Sequence, residues 1–320
     1  MVGDQTMNRN KLKDLIQEEI DFIRGNTGGI ALMASGGIDS GVLMALSDPD
    51  LVFTVRLPYG PQHDEYNDFV KSAKHIGIKG NNIVVVDLDE KKFDEYVEDA
   101  VKIIGRPIPH FNIFPLYTLF KKASEKGVTD MVCGDGPDET MAGYTRHLIM
   151  KYLYQDSRNV EAFKGYEGMI YKALGSLAPQ VTYAMLIGKD ISQVSNIFDR
   201  NMSLIDNMCR VDMELMRPDM DDMGDRLARH FGITMHRPYQ DRGLDKIMFD
   251  LDENDKVQGE YGKYLLREVA EELLPEDVAW RKKKIGGPLV PVNKIKNWDV
   301  SPFDKSKWLK HQEEILASAQ

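Results

Sequence analysis

Cysteine is scarce: Cys133 and Cys209 are the only two in 320 residues. That excludes a disulfide framework and a cysteine-rich zinc site, and it makes a reducing compartment the expectation. Positive charge is also short, with 41 Lys and Arg against 51 Asp and Glu and a formal net charge of −10. A generic nucleic-acid surface is therefore disfavoured. No apolar run approaches the roughly 18 residues of a membrane helix. The opening MVGDQTMNRNKLKD is too polar and acidic for a signal peptide. The expected localisation is cytoplasmic, with no membrane partner and nucleic acid unlikely. His63, His75, His110 and His147 show no metal-ligand spacing; His147 reads as a helix-surface residue. What remains, 42% hydrophobic and 29% charged residues, is an ordinary globular chain able to bury one large core or two modest ones.

The most informative stretch is Ile30 to Gly41, IALMASGGIDSG. An apolar run is followed by Ser35-Gly36-Gly37, then Ile38-Asp39-Ser40 and a second apolar run, Val42 to Leu46. The pattern predicts a buried strand turning tightly into a helix. Two glycines keep backbone amides open to an anion, and the helix start adds N–H groups and a positive dipole end, so a phosphate or pyrophosphate is the expected ligand. Ser35 and Ser40 offer hydroxyls. Asp39 has the wrong charge to hold phosphate and suits a magnesium ion that phosphates share.

Further along, residues 9–24 carry apolar positions at helical spacing. Strands are expected at Leu51–Leu57, Ile83–Asp87 and Asp130–Cys133, with helices over 63–76, 91–104 and 114–126. Such alternation indicates a parallel sheet covered on both faces. After Tyr144 the pattern is mostly helical, with an interruption at Arg217-Pro218. The expected organisation is a leading helix over 1–24, a parallel α/β core over 25–144 that carries the phosphate-binding turn, and a mainly helical part over 145–320.

Directly after the fourth expected strand comes Gly134-Asp135-Gly136-Pro137-Asp138-Glu139-Thr140-Met141-Ala142-Gly143-Tyr144. Gly134 and Gly136 permit a tight path, and Pro137 suits a first helical turn. In a parallel sheet this segment shares a rim with the glycine-rich turn, where ligands bind. Asp39 and Asp138 could then share magnesium. Helix capping is the plainer use of acids at this point.

The run SGGIDS resembles the SGGxDS signature of the PP-loop ATP pyrophosphatases. GDGPDETMAGY is similar to the SGEGADELFGGY segment of the asparagine synthetase synthase domain. Near the C-terminus, Met235-His236-Arg237-Pro238-Tyr239-Gln240-Asp241 resembles that family's R-V-P-F-L-D. Gly262-Lys263-Tyr264-Leu265-Leu266-Arg267 and Trp280-Arg281-Lys282-Lys283-Lys284 resemble its K-Y-L-L-R and W-R-x-K, in the same order. The resemblance covers about residues 25 to 290. It implies an adenine nucleotide α-hydrolase-like α/β core with a helical C-terminal part, and ATP and magnesium as cofactors.

It also implies roles. Asp39 and Asp138 match the magnesium carboxylates, with Ser35, Gly36, Gly37, Ser40 and Gly134 around the phosphates. Asp135 stands where the family has glutamate, at a position associated with amine chemistry; the exchange shortens its reach by roughly 1.5 Å. Lys263, expected in a mixed apolar and basic helix, could reach a phosphate as a mobile point charge. Lys283 is the implied stabiliser of pyrophosphate and transition-state charge. Composition alone reads Lys263 as a solvated lysine; the motif order reverses that.

The implied reaction is AMP-forming amide-bond synthesis through an acyl-adenylate on a small-molecule carboxylate. With no cysteine before Cys133, glutamine hydrolysis by the family's route is not expected. The nitrogen would come from free ammonia, from a separate ammonia-supplying protein, or from a substrate amine. Alternatives are another PP-loop enzyme such as an RNA-modifying ligase or sulfurtransferase, an ammonia-dependent asparagine synthetase proper, and a catalytically idle ATP-binding partner subunit. α/β enzymes of this size often pair, which leaves a homodimer open.

Overall fold

The structure, a computed structural model, describes residues 7–60, 65–155, 173–282, 292–296, 298 and 305–319. The chain divides into two compact units. The first comprises Met1–Asp135, Asp219–Leu244 and Leu265–Gln320, and the second Gly136–Pro218 and Asp245–Tyr264.

The first unit is built on a parallel five-stranded sheet: β1 (Ala31–Met33), β2 (Leu51–Arg56), β3 (Ile83–Asp87), β4 (Asp130–Val132) and β5 (Thr234–His236), in the order β3-β2-β1-β4-β5. Register pairs Leu32 with Val52 on one side and with Val132 on the other. Among the described residues five α-helices precede β4: α1 (Arg9–Asn26), α2 (Ile38–Ser47), α3 (Tyr66–Ile76), α4 (Phe93–Ile104) and α5 (Ile113–Glu125). The expected leading helix is present. Asn8 caps it by accepting the Lys11 N–H at 3.1 Å, and Leu12, Ile16, Ile20 and Ile23 all lie buried at helical spacing. α1 and α3 pack on α2, and α4 packs on α5. The core joins Phe53, Val55 and Val86 from the sheet to Phe93, Val97, Phe114 and Phe120 from the helices.

Strand order carries the functional consequence. From β1 the chain steps outward to β2 and β3, then returns to the far side of β1 for β4 and β5. β1 and β4 are thus neighbours whose following loops leave in opposite directions at a common rim. That is the switch point where open α/β sheets bind ligands.

The second unit has its own core, with Met150, Tyr183, Ile205, Met208 and Val211 among its buried members. It contains α6 (Pro137–Thr140), α7 (Thr145–Tyr154), the helices Pro179–Ile187, Ile191–Ile197 and Leu204–Val211, and a two-stranded antiparallel ribbon of β6 (Val257–Gln258) and β7 (Tyr261–Gly262).

Two local expectations need correction. Winding is not broken at Arg217-Pro218: a π-helical turn over Asp212–Met216 runs into the helix Arg217–His230, the Arg217 N–H bonding the Asp212 carbonyl. The wider turn removes the clash that Pro218 would make with the carbonyl four residues back. β5 was also not foreseen as a strand, because only three residues pair and none is fully buried.

The C-terminal helix Ser306–Ser318 docks through polar groups. Buried Gln312 accepts the Ile108 N–H at 2.8 Å and donates to the Ile108 carbonyl at 3.0 Å, where the Trp308 indole N–H also donates at 2.6 Å. Gln312→Leu leaves the buried Ile108 N–H without an acceptor. It should lower unfolding free energy by about 2 kcal/mol in urea titration.

Candidate functional site

The SGGIDS segment is the turn from β1 into α2. Gly36 has φ +99°, and a Cβ there would stand 2.3 Å from the Glu65 carbonyl oxygen and 2.8 Å from the Phe69 nitrogen. Only glycine meets both conditions. The serines brace the turn. Ser35 Oγ accepts the Gly37 N–H at 3.1 Å, while Ser40 Oγ accepts the Ser35 N–H at 3.2 Å and donates to the Gly37 carbonyl at 3.3 Å. Gly37 caps α2 without a side-chain hydrogen bond, so the first-turn amides and the helix dipole face the loop. Amides open at a helix start are suited to an anion.

Gly134, the first residue of the second motif, lies directly on this helix start. A Cβ at 134 would be 2.9 Å from the Ser40 nitrogen and 3.2 Å from Asp39 Cβ. The two motifs therefore meet backbone to backbone. Tyr239, absent from the expected site residues, locks the same point: buried among the loops, it donates its hydroxyl to the Asp39 carbonyl at 2.9 Å. Its signal was visible as the aromatic of the Arg237-Pro238-Tyr239 segment, but only the β5 pairing shows what it serves.

Asp135 stays half-exposed. It accepts from the Cys133 thiol at 3.1 Å and lies 3.9 Å from Arg237 Nε. Arg237 also pairs with Asp221 at 3.2 Å and Asp225 at 2.7 Å; burial opposes its charge, but the acidic groups around it, Cys133 and these carboxylates among them, together raise its already high pKa. Burial pushes the Cys133 thiol well up and the Cys209 thiol up to about 12. Neither is a thiolate at neutral pH.

In the second unit, Asp138 opens α6 behind Pro137 at the first helical position. Its Oδ1 is 2.9 Å from Lys263 Nζ, and Lys263 is 4% exposed. Lys263 is not in a helix. It follows β7 and precedes the helix Tyr264–Leu273, with φ +55° and its N–H bonded to the Met141 carbonyl at 2.8 Å. The reason is the close packing of β7 on the second motif: a Cβ on Gly262 would stand 2.2 Å from the Ala142 carbonyl oxygen. Ala142 itself has φ +53°. Two non-glycine residues in left-handed conformation thus flank Asp138, a concentration of strain typical of functional sites.

His147, expected on a helix surface, is fully buried, because α7 turns that face into a polar cluster. Its Nδ1 accepts the Tyr144 N–H at 3.4 Å, which places the proton on Nε2, donating to Asp212 at 2.9 Å. Asp212 also accepts from Arg146 at 2.6 Å and Tyr183 at 2.8 Å. The Arg146 guanidinium lies 3.7 Å over the Tyr144 ring, and the Tyr144 hydroxyl donates to buried Glu139. Burial holds the His147 pKa below its ordinary 6.5, the hydrogen bond to Asp212 opposing.

Lys283 lies outside the described residues. Asp39 belongs to the first unit; Asp138 and Lys263 belong to the second and are paired there. Among the described residues no group of three or more His, Cys, Asp and Glu is set to hold a metal. Asp39 is a first-turn carboxylate of α2, and magnesium is commonly held by one or two carboxylates together with substrate phosphates. No helix among the described residues is long and apolar enough to cross a membrane.

A family model described as asparagine synthase matches residues 27–312. The chain is 23% identical to asparagine synthetase [glutamine-hydrolyzing] 1 of Bacillus subtilis, across 90% of this chain and 51% of that protein. It is also 23% identical to putative asparagine synthetase [glutamine-hydrolyzing] 1 of Methanocaldococcus jannaschii, across 80% of this chain and 44% of that protein. The chain spans about half the length of these curated relatives.

Two outcomes test the second unit. A Cβ at Gly143 would fall 2.0 Å from Asp138 Oδ1 and 2.8 Å from Lys263 Cε. Gly143→Ala should therefore displace the pair and lower stability by about 1–3 kcal/mol in urea titration. Because His147 is depressed in the fold, the unfolded chain takes up the proton first, and its stabilising effect is lost as pH falls below 6.5. His147→Gln, which keeps a donor near Nε2, should remove that loss. The urea midpoint of the wild type should therefore fall more steeply than that of the variant as pH is lowered from about 8 to about 5.

Proposed function

The chain belongs to the asparagine synthase family, and on that premise we propose that it is an ATP-dependent, AMP-forming amide ligase that acts on a small-molecule carboxylate. The carrying observation is the seating of Gly134 on the Asp39–Ser40 backbone at the sheet's switch point.

A substrate carboxylate oxygen attacks the α-phosphorus of ATP, and the bond to the β-phosphate breaks to release pyrophosphate. An amine then attacks the acyl carbon; it loses a proton, AMP leaves and an amide remains. Amides left open at the start of α2 bind the phosphates and disperse charge on them, while the Ser35 and Gly37 N–H groups stay in the serine hydrogen bonds that brace the turn. Asp135, half-exposed and next in sequence to Gly134, accepts or orients the amine proton. Magnesium, for which Asp39 and Asp138 are the candidate carboxylates, shields phosphate charge when bound. Lys263 is held ready beside Asp138, and Lys283 is assigned pyrophosphate by its place in the W-R-x-K motif. Ammonia, free or supplied by another protein, or a substrate amine provides the nitrogen.

Magnesium ATP offered with pools of carboxylic acids and with ammonium or amines should yield AMP and pyrophosphate in equal amounts, with an amide product seen by mass spectrometry. Release of ADP and phosphate would sink this reading. Asp39→Ala and Asp138→Ala should each lower turnover at least about 100-fold, and an unchanged rate would remove that carboxylate from the assignment.

A further inference from the structure

Glu65 stands just before α3, 5% exposed, and faces the phosphate loop with both its backbone and its side chain. Its carbonyl oxygen lies 2.3 Å from where a Gly36 Cβ would be, and its Oε2 lies 3.2 Å from the same point on Gly37. Its other oxygen, Oε1, accepts from Arg281 Nη2. Arg281 Nη1 donates to Asp68 Oδ2, so one guanidinium serves two carboxylates of the same segment. The Arg281 backbone is fixed in turn, since Arg267 Nη1 donates to the carbonyls of Ala279 at 2.7 Å and Arg281 at 3.3 Å. At the surface a second pair, Lys71 with Asp277 at 2.6 Å, spans the same two segments. All of these residues belong to the first unit.

An arginine beside a phosphate loop invites assignment as a phosphate ligand. Here its two ends are taken by carboxylates, and the trio Glu65, Asp68 and Arg281 carries a formal charge of −1. The positive charge is not spare. A carboxylate edge facing Gly37 would in addition oppose an incoming polyphosphate unless its position and charge were held.

We infer that Arg281 and Glu65 form a positioning latch for the phosphate loop: Arg281 holds Glu65 in the one placement that supports the Gly36-Gly37 turn and fixes the Trp280–Lys282 segment to it. Arg281 acts through Glu65 and does not itself bind phosphate. This rests on the reading that the loop takes ATP.

Equilibrium binding of ATP with magnesium, in the absence of any carboxylic acid, tests the latch. The proteins are the wild type, Glu65→Gln, Arg281→Met, the double variant, Arg281→Lys and the surface control Lys71→Ala. Glu65→Gln and Arg281→Met should each weaken ATP binding at least about tenfold. The double variant should be no weaker than the poorer single, because the two groups act as a unit. Arg281→Lys should recover only part of the loss, since an ammonium is a point donor without the guanidinium fork. Lys71→Ala should leave ATP affinity unchanged although it cuts the same two segments apart at the surface.

Melting temperatures of the ATP-free proteins separate positioning from general stability. Losses of affinity that merely follow the fall in melting temperature across the set would overturn the latch. So would additive single effects, or unchanged affinity in Glu65→Gln. That near-isosteric variant carries the test if Arg281→Met does not fold. Failure of the wild type to bind ATP would overturn the ATP reading and the latch with it.

Discussion

The architecture of the first unit turns on one steric constraint, the contact of a bare α-carbon at 134 with the first turn of α2. A parallel sheet ordered β3-β2-β1-β4-β5 brings the ends of β1 and β4 side by side. Adjacency of strands alone leaves room for a side chain between the loops that follow them. The glycine removes it, so Gly134 lies directly on the backbone of Asp39 and Ser40. Tyr239 closes the same point from the β5 side. Three segments distant in sequence thus fix a loop of small residues that has little side-chain packing of its own.

The sheet was legible where strands are apolar and bounded by turn residues. β1, β2, β3 and β4 follow the runs ALM, LVFTVR, IVVVD and DMV, and the crossovers between them read as amphipathic helices. β5 was not legible, because Thr-Met-His carries neither an apolar run nor an alternating pattern; neighbouring β4 makes it a strand. The candidate residues Ser35 to Ser40 and Gly134 could be named from residue type and spacing because backbone geometry dictates them. Residues whose meaning depends on tertiary partners were misread. His147 looked like a surface residue because nothing local announces Asp212, 65 positions away. Lys263 looked helical because Tyr264-Leu265-Leu266-Arg267 continues it in a helical pattern, whereas the approach of β7 to Ala142 bends its backbone out of that helix. Glu65 carried no site signal without the fold, and Tyr239 carried only its place in the Arg237-Pro238-Tyr239 segment.

The arginines follow a shared rule. Arg146 is held by Asp212 and Tyr183, Arg237 by Asp221 and Asp225 with Asp135 nearby, and Arg281 by Glu65 and Asp68. In each case a rigid fork is matched to carboxylates or a phenol, a use for which lysine is poorly suited. These guanidiniums place other groups. Their carboxylate partners are buried or half-buried, and removal of either member leaves a charge that burial penalises.

That rule resolves the oddity of an acidic chain in which a polyanion site is proposed. A formal charge of −10 counts arginines that face acids inside the protein, so it says little about the field at the loop. What meets the phosphates on the proposed reading is mostly uncharged: first-turn amides of α2, on a turn that the close packing at Gly36 and Gly134 holds in place. Peptide dipoles held in place need no counter-ion when the site is empty, and they do not reorganise when it fills. Mobile positive charge is then needed only where negative charge grows during the reaction, a requirement that a few lysines meet.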